Sequence, residues 1–162
     1  MTRARRGLRP VGLEFCGTAP VRLVFTARTA APPEDVYRAL AEEVEAWPRW
    51  FRAVTLARPV ETRGCRGREV KLAGLVRLTE TVMAAEPGRR YAYRVDAANV
   101  PGLRALLEDW RLAPAGGGTL VQWWFLADVP VPGRLALRLA RPVFGRAFRD
   151  AVRALDRRLS AV

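Results

Sequence analysis

Apolar and polar residues alternate along residues 21–29, where β-branched and aromatic side chains are frequent, and this pattern predicts a first strand. Similar alternation predicts six further strands, at residues 55–62, 68–72, 75–84, 90–96, 103–112 and 119–128. Segments that contain glycine separate several of these strands, at residues 63–67, 86–88 and 115–118, and they predict turns. The pattern therefore predicts a seven-stranded antiparallel sheet.

Two short helices are predicted between the first and second strands. Pro33 suits the first turn of a helix, and Glu34 and Asp35 beside it carry charges that interact favourably with the helix dipole. Pro48 then starts a second short helix, which carries Trp50.

The period changes to a helical one near the C-terminus. From Leu135 to Leu159, apolar residues recur every three or four positions, while arginines such as Arg146 and Arg153 lie on the other side. These residues predict one long amphipathic helix over residues 132–159, with a bend near Pro142. A basic face turned to solvent is the simplest interpretation, and a helix that lies on a membrane surface is the alternative.

The order of these elements predicts the α+β class, as a single domain over residues 21–160 that follows a basic N-terminal arm at residues 1–20. A length of 162 residues suits one domain with a substantial core. A curved antiparallel sheet with a long helix in its concavity leaves an internal apolar cavity. The fold therefore favours a protein that binds an apolar small molecule.

The chain is strongly basic, with a formal net charge of +12 that comes almost entirely from arginine, since Lys71 is its only lysine. Arginine binds phosphate groups well, so nucleic-acid binding is one interpretation. The arginines are scattered rather than grouped in one stripe, which argues against nucleic acid as a partner. Coding bias in a GC-rich genome explains the composition more simply, and an anionic ligand or an acidic partner protein stays open.

Histidine is absent from the chain, which removes the commonest general base near neutral pH and the commonest metal ligand. Cys16 and Cys65 are far apart and fit no metal-binding spacing. We therefore expect neither a metal nor another cofactor, so proton transfer would fall to carboxylates, tyrosines, cysteines or the single lysine. Without an apolar run of about 18 residues or the core of a signal peptide, we expect a cytoplasmic location.

Several segments in a fixed order carry a resemblance to a known family. They are APPEDVYRAL at 31–40, WPRWFRAV at 47–54, TETV at 79–82 followed by EPGRRYAY at 86–93, and WRLAP at 110–114 followed by GGTLVQW at 117–123. In this order and spacing they resemble the START-like helix-grip superfamily (SRPBCC), in particular its polyketide cyclase/dehydrase and lipid-transport branch. The resemblance extends over roughly residues 21 to 160.

The resemblance implies a seven-stranded sheet that grips the last helix around an internal cavity. Members bind lipids, hormones, quinones or polyketides, and some catalyse ring closure or dehydration. We therefore expect a cofactor-independent polyketide cyclase or dehydratase, with a lipid or quinone carrier as the alternative. An interaction module, whose basic helix face docks on an acidic protein or a membrane, is a third hypothesis.

By analogy with the family's register, Glu80 and Glu108 point into the cavity, with Tyr93 on the strand between them. Burial would raise the pKa of either carboxyl group toward neutrality, and the tyrosine hydroxyl could donate to a substrate carbonyl. We therefore predict Glu80, Glu108 and Tyr93 as catalytic residues. The alternative is that each glutamate pairs with an arginine, such as Arg52 or Arg104, and has no chemical role.

The same register and the C-terminal helix supply the predicted ligand-binding residues. These are Trp50, Tyr91, Leu106, Trp110, Trp123, Phe125, Phe144 and Phe148. All of them are apolar or aromatic, and in this fold the core and the lining of a cavity share part of their surface.

Two partners follow from the surface. A polyketide substrate could arrive on an acidic acyl carrier protein, which the positive charge would attract. Trp124 and Leu126 point outward from the last strand, and this apolar outer patch predicts a homodimer surface.

Overall fold

An antiparallel sheet forms most of the computed structural model, which describes residues 4–161. Its strands are β1 (Arg6–Gly7), β2 (Val21–Thr29), β3 (Val54–Thr62), β4 (Cys65–Leu72), β5 (Val76–Glu86), β6 (Arg90–Ala98), β7 (Ala105–Ala115) and β8 (Gly118–Asp128). Seven of them form a continuous path in the order β2-β8-β7-β6-β5-β4-β3, and the two-residue β1 pairs with β6. The predicted antiparallel sheet is thus confirmed, with one short strand added.

Most strands extend further than their patterns predicted, because backbone pairing continues into the turns. β2 has the predicted limits, whereas β4 begins earlier than predicted, at Cys65. β3 and β4 pair as far as Thr62 with Cys65, so the predicted turn at 63–67 shortens to Arg63 and Gly64. Both turn residues have positive φ angles, of 52° and 75°, as a tight two-residue hairpin requires, and glycine adopts such angles without strain.

The second short helix begins earlier than the sequence predicted. The helices are α1 (Phe15–Thr18), α2 (Pro33–Tyr37), α3 (Val131–Leu139) and α4 (Arg141–Ser160), with a π-helical turn (Arg38–Glu42) and a 3-10 helix (Val44–Arg49) between α2 and β3. The 3-10 helix contains Pro48 instead of starting at it. Within it, the Trp47 indole Nε1 donates to the Leu40 carbonyl oxygen at 3.0 Å, which ties the helix to the preceding turn. Trp50 lies just beyond the helix rather than inside it.

The predicted C-terminal helix is present as two helices, α3 and α4, which meet at Ala140. Pro142 lies in the first turn of α4, where a backbone N–H would have no acceptor within the helix, so proline is well tolerated there. The chain therefore breaks into two helices near Pro142, where the sequence predicted a bend. α4 lies against the concave face of the sheet, and its buried Phe148 ring has its centroid 6.1 Å from that of Phe25 in β2. Among residues 4–161, no helix is both long enough and apolar enough to cross a bilayer.

The N-terminal segment packs on the outer face of the sheet. Val11 and Phe15 bury their side chains against Leu107 and Leu126 in a second apolar cluster, separate from the main core. Trp124 packs at the edge of the same cluster. The chain itself therefore buries Leu126 and partly covers Trp124, the two residues whose exposure suggested a homodimer surface. The homodimer stays a prediction.

We expect Phe15→Ala to lower the free energy of unfolding by about 3 kcal/mol, because it removes a buried ring from this second cluster. Urea unfolding of the purified protein measures the change. Thr18→Ala, an exposed substitution in the same segment, serves as the matched control and should change stability by less than about 0.5 kcal/mol. Equal effects of the two substitutions would contradict a structural role for this segment.

Candidate functional site

A cavity of about 240 Å³ lies between the concave face of the sheet and the first turns of α4. Its lining is largely apolar and comes from the segment before β3, from strands β3 to β8 and from α4. Four lining residues carry a charge or a hydroxyl group: Arg68, Glu80, Tyr93 and Glu108. Val143 also lines the cavity although it is 70% exposed, so the cavity reaches the protein surface beside it.

Strand pairing brings these polar side chains together. Arg68 on β4 lies directly opposite Glu80 on β5, and Tyr93 on β6 lies directly opposite Glu108 on β7. Side chains directly opposite each other on paired strands share a face of the sheet, and here all four are buried on the concave face. The predicted inward register of Glu80, Tyr93 and Glu108 agrees with this arrangement.

The Arg68 guanidinium forms a buried ion pair with Glu80, in which Nε donates to the Glu80 Oε2 atom. Its Cζ atom lies 4.1 Å from the ring centroid of Trp47 and 3.8 Å from that of Tyr93, so two aromatic rings contact the cation. Among residues 4–161, no hydrogen-bond partner is found for the buried Nη1 atom of Arg68. A buried donor without a partner costs about 1–3 kcal/mol, so the ion pair leaves part of the hydrogen-bonding capacity of the guanidinium unused.

Glu108 is held by a second network. The Tyr93 hydroxyl donates to Glu108 Oε2 at 2.7 Å, and the Trp123 indole Nε1 donates to the same oxygen at 2.9 Å. The Tyr93 oxygen in turn accepts a hydrogen bond from the Trp110 Nε1 atom at 3.0 Å. Since both hydrogen bonds fall on Oε2, Glu108 Oε1 has no partner within the described part of the chain and is available to a ligand.

Burial sets the protonation of this site. It raises the pKa of Glu80 to about 7; the Arg68 guanidinium opposes the rise, and the neighbouring Glu108 adds to it. Burial likewise raises the pKa of Glu108 above its ordinary value, against the hydrogen bond from Tyr93. It also raises the pKa of the Tyr93 phenol well above its ordinary value, so this hydroxyl keeps its proton near neutral pH. Two carboxyl groups beside one guanidinium can therefore hold an exchangeable proton.

The cavity contains some of the predicted site residues but not others. Those that line it are Glu80, Glu108, Tyr93, Trp123, Phe125 and Phe144. Those that do not are Trp50, Tyr91, Leu106, Trp110 and Phe148, all of which are buried in the surrounding core. Trp110 stacks on Trp123, with ring centroids 5.6 Å apart, and Trp50 packs on Trp47 at 4.7 Å. These rings support the lining of the cavity rather than forming it.

The two surface depressions beside the fold are larger than the cavity but lack its buried polar cluster. One, of about 700 Å³, is bordered by Tyr91 and by residues 41–46, and the other, of about 670 Å³, is bordered by Trp50 and the outer side of α4. We therefore place the candidate site in the internal cavity.

The arginine partner of Glu80 differs from the two that the sequence suggested. Arg52 is exposed, and Arg104 lies 4.0 Å from Asp128.

Sequence reasoning missed Arg68 and Trp47. Alternation would have indicated Arg68, because it lies two residues before the buried Val70 on the same strand and therefore on the same face. Trp47 was missed because the second helix was predicted to start at Pro48. No pattern in the sequence indicates that a tryptophan just before that proline contacts the guanidinium.

Comparisons with known proteins extend over nearly the whole chain. A family model described as polyketide cyclase / dehydrase and lipid transport matches residues 20–160. The uncharacterized protein Rv2574 of Mycobacterium tuberculosis is 32% identical over 150 residues, a match that covers 91% of this chain and 89% of that protein.

Solved structures share the fold at lower sequence identity. A START superfamily protein from Mycobacterium smegmatis has a TM-score of 0.66 at 17% identity, and the match covers 86% of this chain and 97% of that one. DynU16, a protein in the dynemicin biosynthetic locus, has a TM-score of 0.62 at 18% identity, and the match covers 86% of this chain but 47% of DynU16. Both confirm the predicted helix-grip fold.

We expect Glu80→Leu to lower the free energy of unfolding by about 3–5 kcal/mol, because it leaves the buried Arg68 cation unpaired. The double variant Arg68→Met, Glu80→Leu should recover most of this loss, since it removes both charges and fills the space with apolar groups. Urea unfolding of the two variants measures the recovery.

The exposed ion pair between Arg58 on β3 and Glu69 on β4 supplies the control, since β4 also carries Arg68. Arg58→Met should change stability by less than about 1 kcal/mol, since surface ion pairs contribute little. A double variant as unstable as Glu80→Leu alone would contradict the assignment of the loss to an unpaired charge.

Proposed function

The chain belongs to the polyketide cyclase / dehydrase and lipid transport family of the START-like superfamily, and we propose that its cavity binds and converts an apolar carbonyl compound. The proposed reaction is cyclisation or dehydration by acid–base chemistry, without a cofactor. One observation carries the proposal: two buried carboxyl groups and an incompletely paired guanidinium meet at the wall of an otherwise apolar cavity. A cavity that only solvates an apolar molecule needs none of these groups.

Aldol-type ring closure needs a base that removes a proton from the carbon beside a carbonyl, and a donor that stabilises the enolate oxygen. In our proposal, Glu108 Oε1 is the base, because Glu108 Oε2 is already occupied by hydrogen bonds from Tyr93 and Trp123. The Arg68 guanidinium, which lines the cavity, donates to the carbonyl oxygen, on which the negative charge develops. The new carbon–carbon bond then forms between the enolate carbon and a second carbonyl carbon of the same substrate. The π bond of that second carbonyl opens, and its oxygen becomes an alkoxide that takes up the proton held on Glu108, so Glu108 is again a free base.

Dehydration needs a proton for the departing hydroxyl group. Glu80 is suited to supply it, since a pKa of about 7 leaves a large fraction of this carboxyl protonated at neutral pH. The proton from Glu80 and the hydroxyl group leave together as water, and the proton taken from carbon stays on Glu108. Proton exchange between the two carboxyl groups and solvent then restores the starting state.

Tyr93 takes a different role in this proposal from the one its position in the sequence suggests. Its hydroxyl donates to Glu108, so it could reach a substrate carbonyl only by giving up that hydrogen bond. We assign it as a positioning residue that holds Glu108 through Oε2. Contact with the apolar body of the substrate is assigned to Trp123, Phe125 and Phe144, which line the cavity.

The size of the cavity limits the substrate. Pockets for drug-sized ligands usually measure about 300–1,000 Å³, whereas this cavity measures about 240 Å³. A compound of one or two rings is therefore favoured, or a longer one that extends through the opening at Val143.

A carrier for a lipid or quinone is the second candidate. The largely apolar lining favours it, and so do the hydrogen bonds that Tyr93 and Glu108 already make inside the protein. In a carrier, Arg68 would bind the carbonyl oxygen of the cargo and no bond would change. Turnover distinguishes the two candidates.

We expect the wild-type protein to convert a short aromatic diketone or β-hydroxyketone, with product formation followed by ultraviolet absorbance and mass spectrometry. Glu108→Gln should lower kcat by about a hundredfold or more, because it removes the base while keeping the shape of the side chain. The dissociation constant, measured with a non-reactive ketone by calorimetry, should change by less than about threefold.

Tyr91→Phe is the matched control, since it removes a buried hydroxyl group that does not line the cavity. Its kcat should remain within about twofold of the wild type. Tight binding of ketones without any turnover would contradict the enzyme proposal and favour the carrier. Turnover that survives in Glu108→Gln would contradict the role given to this residue.

A further inference from the structure

α3 exposes its apolar side chains to an unusual extent. None of its nine residues is buried, and Val131, Leu135 and Leu139 are between 60% and 72% exposed. They are spaced four residues apart, so they form a single stripe along the helix. Leu137, on another side of the helix, packs against the main core, so the stripe faces away from the core.

A further exposed apolar side chain lies at the opening of the cavity. Val143, in the first turn of α4, follows Leu139 by four residues, is 70% exposed and lines the cavity. Leu75, at the tip of the turn between β4 and β5, is 77% exposed, and the strands on either side of it contribute Leu72 and Leu78 to the same cavity. Val143 at the opening and Leu75 between two lining strands thus add exposed apolar side chains on segments that contribute to the cavity.

The charge of this segment is entirely positive. Residues 129–149 contain five arginines and no acidic residue. The arginines are Arg134, Arg138, Arg141, Arg146 and Arg149. Arg138 follows Val131 by two helical turns and therefore lies beside the apolar stripe. An exposed apolar stripe beside arginines that have no acidic residue among them is typical of a helix that binds the surface of an anionic bilayer.

We propose that α3 and the first turn of α4 dock on the surface of a lipid bilayer that contains anionic lipids. In the docked state the apolar stripe inserts among the acyl chains, and the arginines contact the headgroup phosphates. The opening at Val143 then faces the hydrocarbon, so an apolar ligand can enter without crossing water. The docking itself does not depend on the proposed acid–base reaction.

A bilayer fits this surface better than a second copy of the chain. The charges beside the stripe are all positive, so they attract an anionic surface. A symmetric dimer through α3 would also bring the same five arginines of each copy together, and these charges repel one another. A bilayer surface offers the opposite charge and an apolar interior to the same segment.

Sedimentation with vesicles of phosphatidylcholine, with and without about 30% phosphatidylglycerol, tests the proposal on the full chain. We expect binding to the anionic vesicles to be at least about tenfold tighter than to neutral ones, and to weaken steeply between about 50 and 500 mM salt. Leu135→Glu with Leu139→Glu should weaken binding at least about tenfold, because it places two charges in the inserted stripe.

Arg138→Glu should also weaken binding, whereas Arg63→Glu, the same charge change in the turn between β3 and β4, should leave binding within about twofold. Unchanged thermal unfolding and unchanged ketone binding in the stripe variant would show that the fold and cavity are intact. Absence of binding to either type of vesicle would overturn the proposal. So would a concentration-dependent dimer in solution that is lost in the stripe variant, because it would assign the stripe to a second copy.

Discussion

The buried ion pair between Arg68 and Glu80 is the interaction on which the rest of the site depends. A guanidinium inside an apolar core is costly without a carboxyl partner beside it, and here the pairing of β4 with β5 places Glu80 directly across from Arg68. Trp47 and Tyr93 contact the cation, and Tyr93 in turn holds Glu108. A shift of the strand register by one residue would turn these side chains to the outer face of the sheet, and the ion pair and its hydrogen bonds would be lost.

The polar cluster also determines what the cavity can do. Pairing with Glu80 leaves Arg68 with an unused donor. Burial raises the pKa of both carboxyl groups, and it raises that of Glu80 to about 7. Polar groups at one part of the wall and an apolar surface elsewhere fit a ligand whose reacting oxygen atoms lie together on an otherwise apolar body. The opening at Val143 connects this cavity to the exposed stripe of α3, so one segment of the chain links binding, access and the proposed membrane contact.

Strand periodicity predicted most of the fold and about half of the site. Alternation tells which side chains of a strand share a face, and the register of the resembled family then placed Glu80, Glu108 and Tyr93 on the concave one. It does not distinguish a residue that lines the cavity from one that packs behind it, which is why Trp110 was predicted to bind ligand and instead stacks on Trp123. The cover that the N-terminal segment forms over the outer face was also missed, since it depends on tertiary contacts that no local pattern encodes.

The most direct test of the central claim is a carbon-detected NMR titration of the protein labelled in its glutamate carboxyl groups, with Glu80→Gln and Glu108→Gln for assignment. The account predicts that the Glu80 carboxyl titrates with a pKa of about 7 and that Glu108 titrates above the ordinary range of a glutamate. Ordinary glutamate pKa values for both groups, near about 4.3, would contradict it, because the cavity would then hold no exchangeable proton at neutral pH.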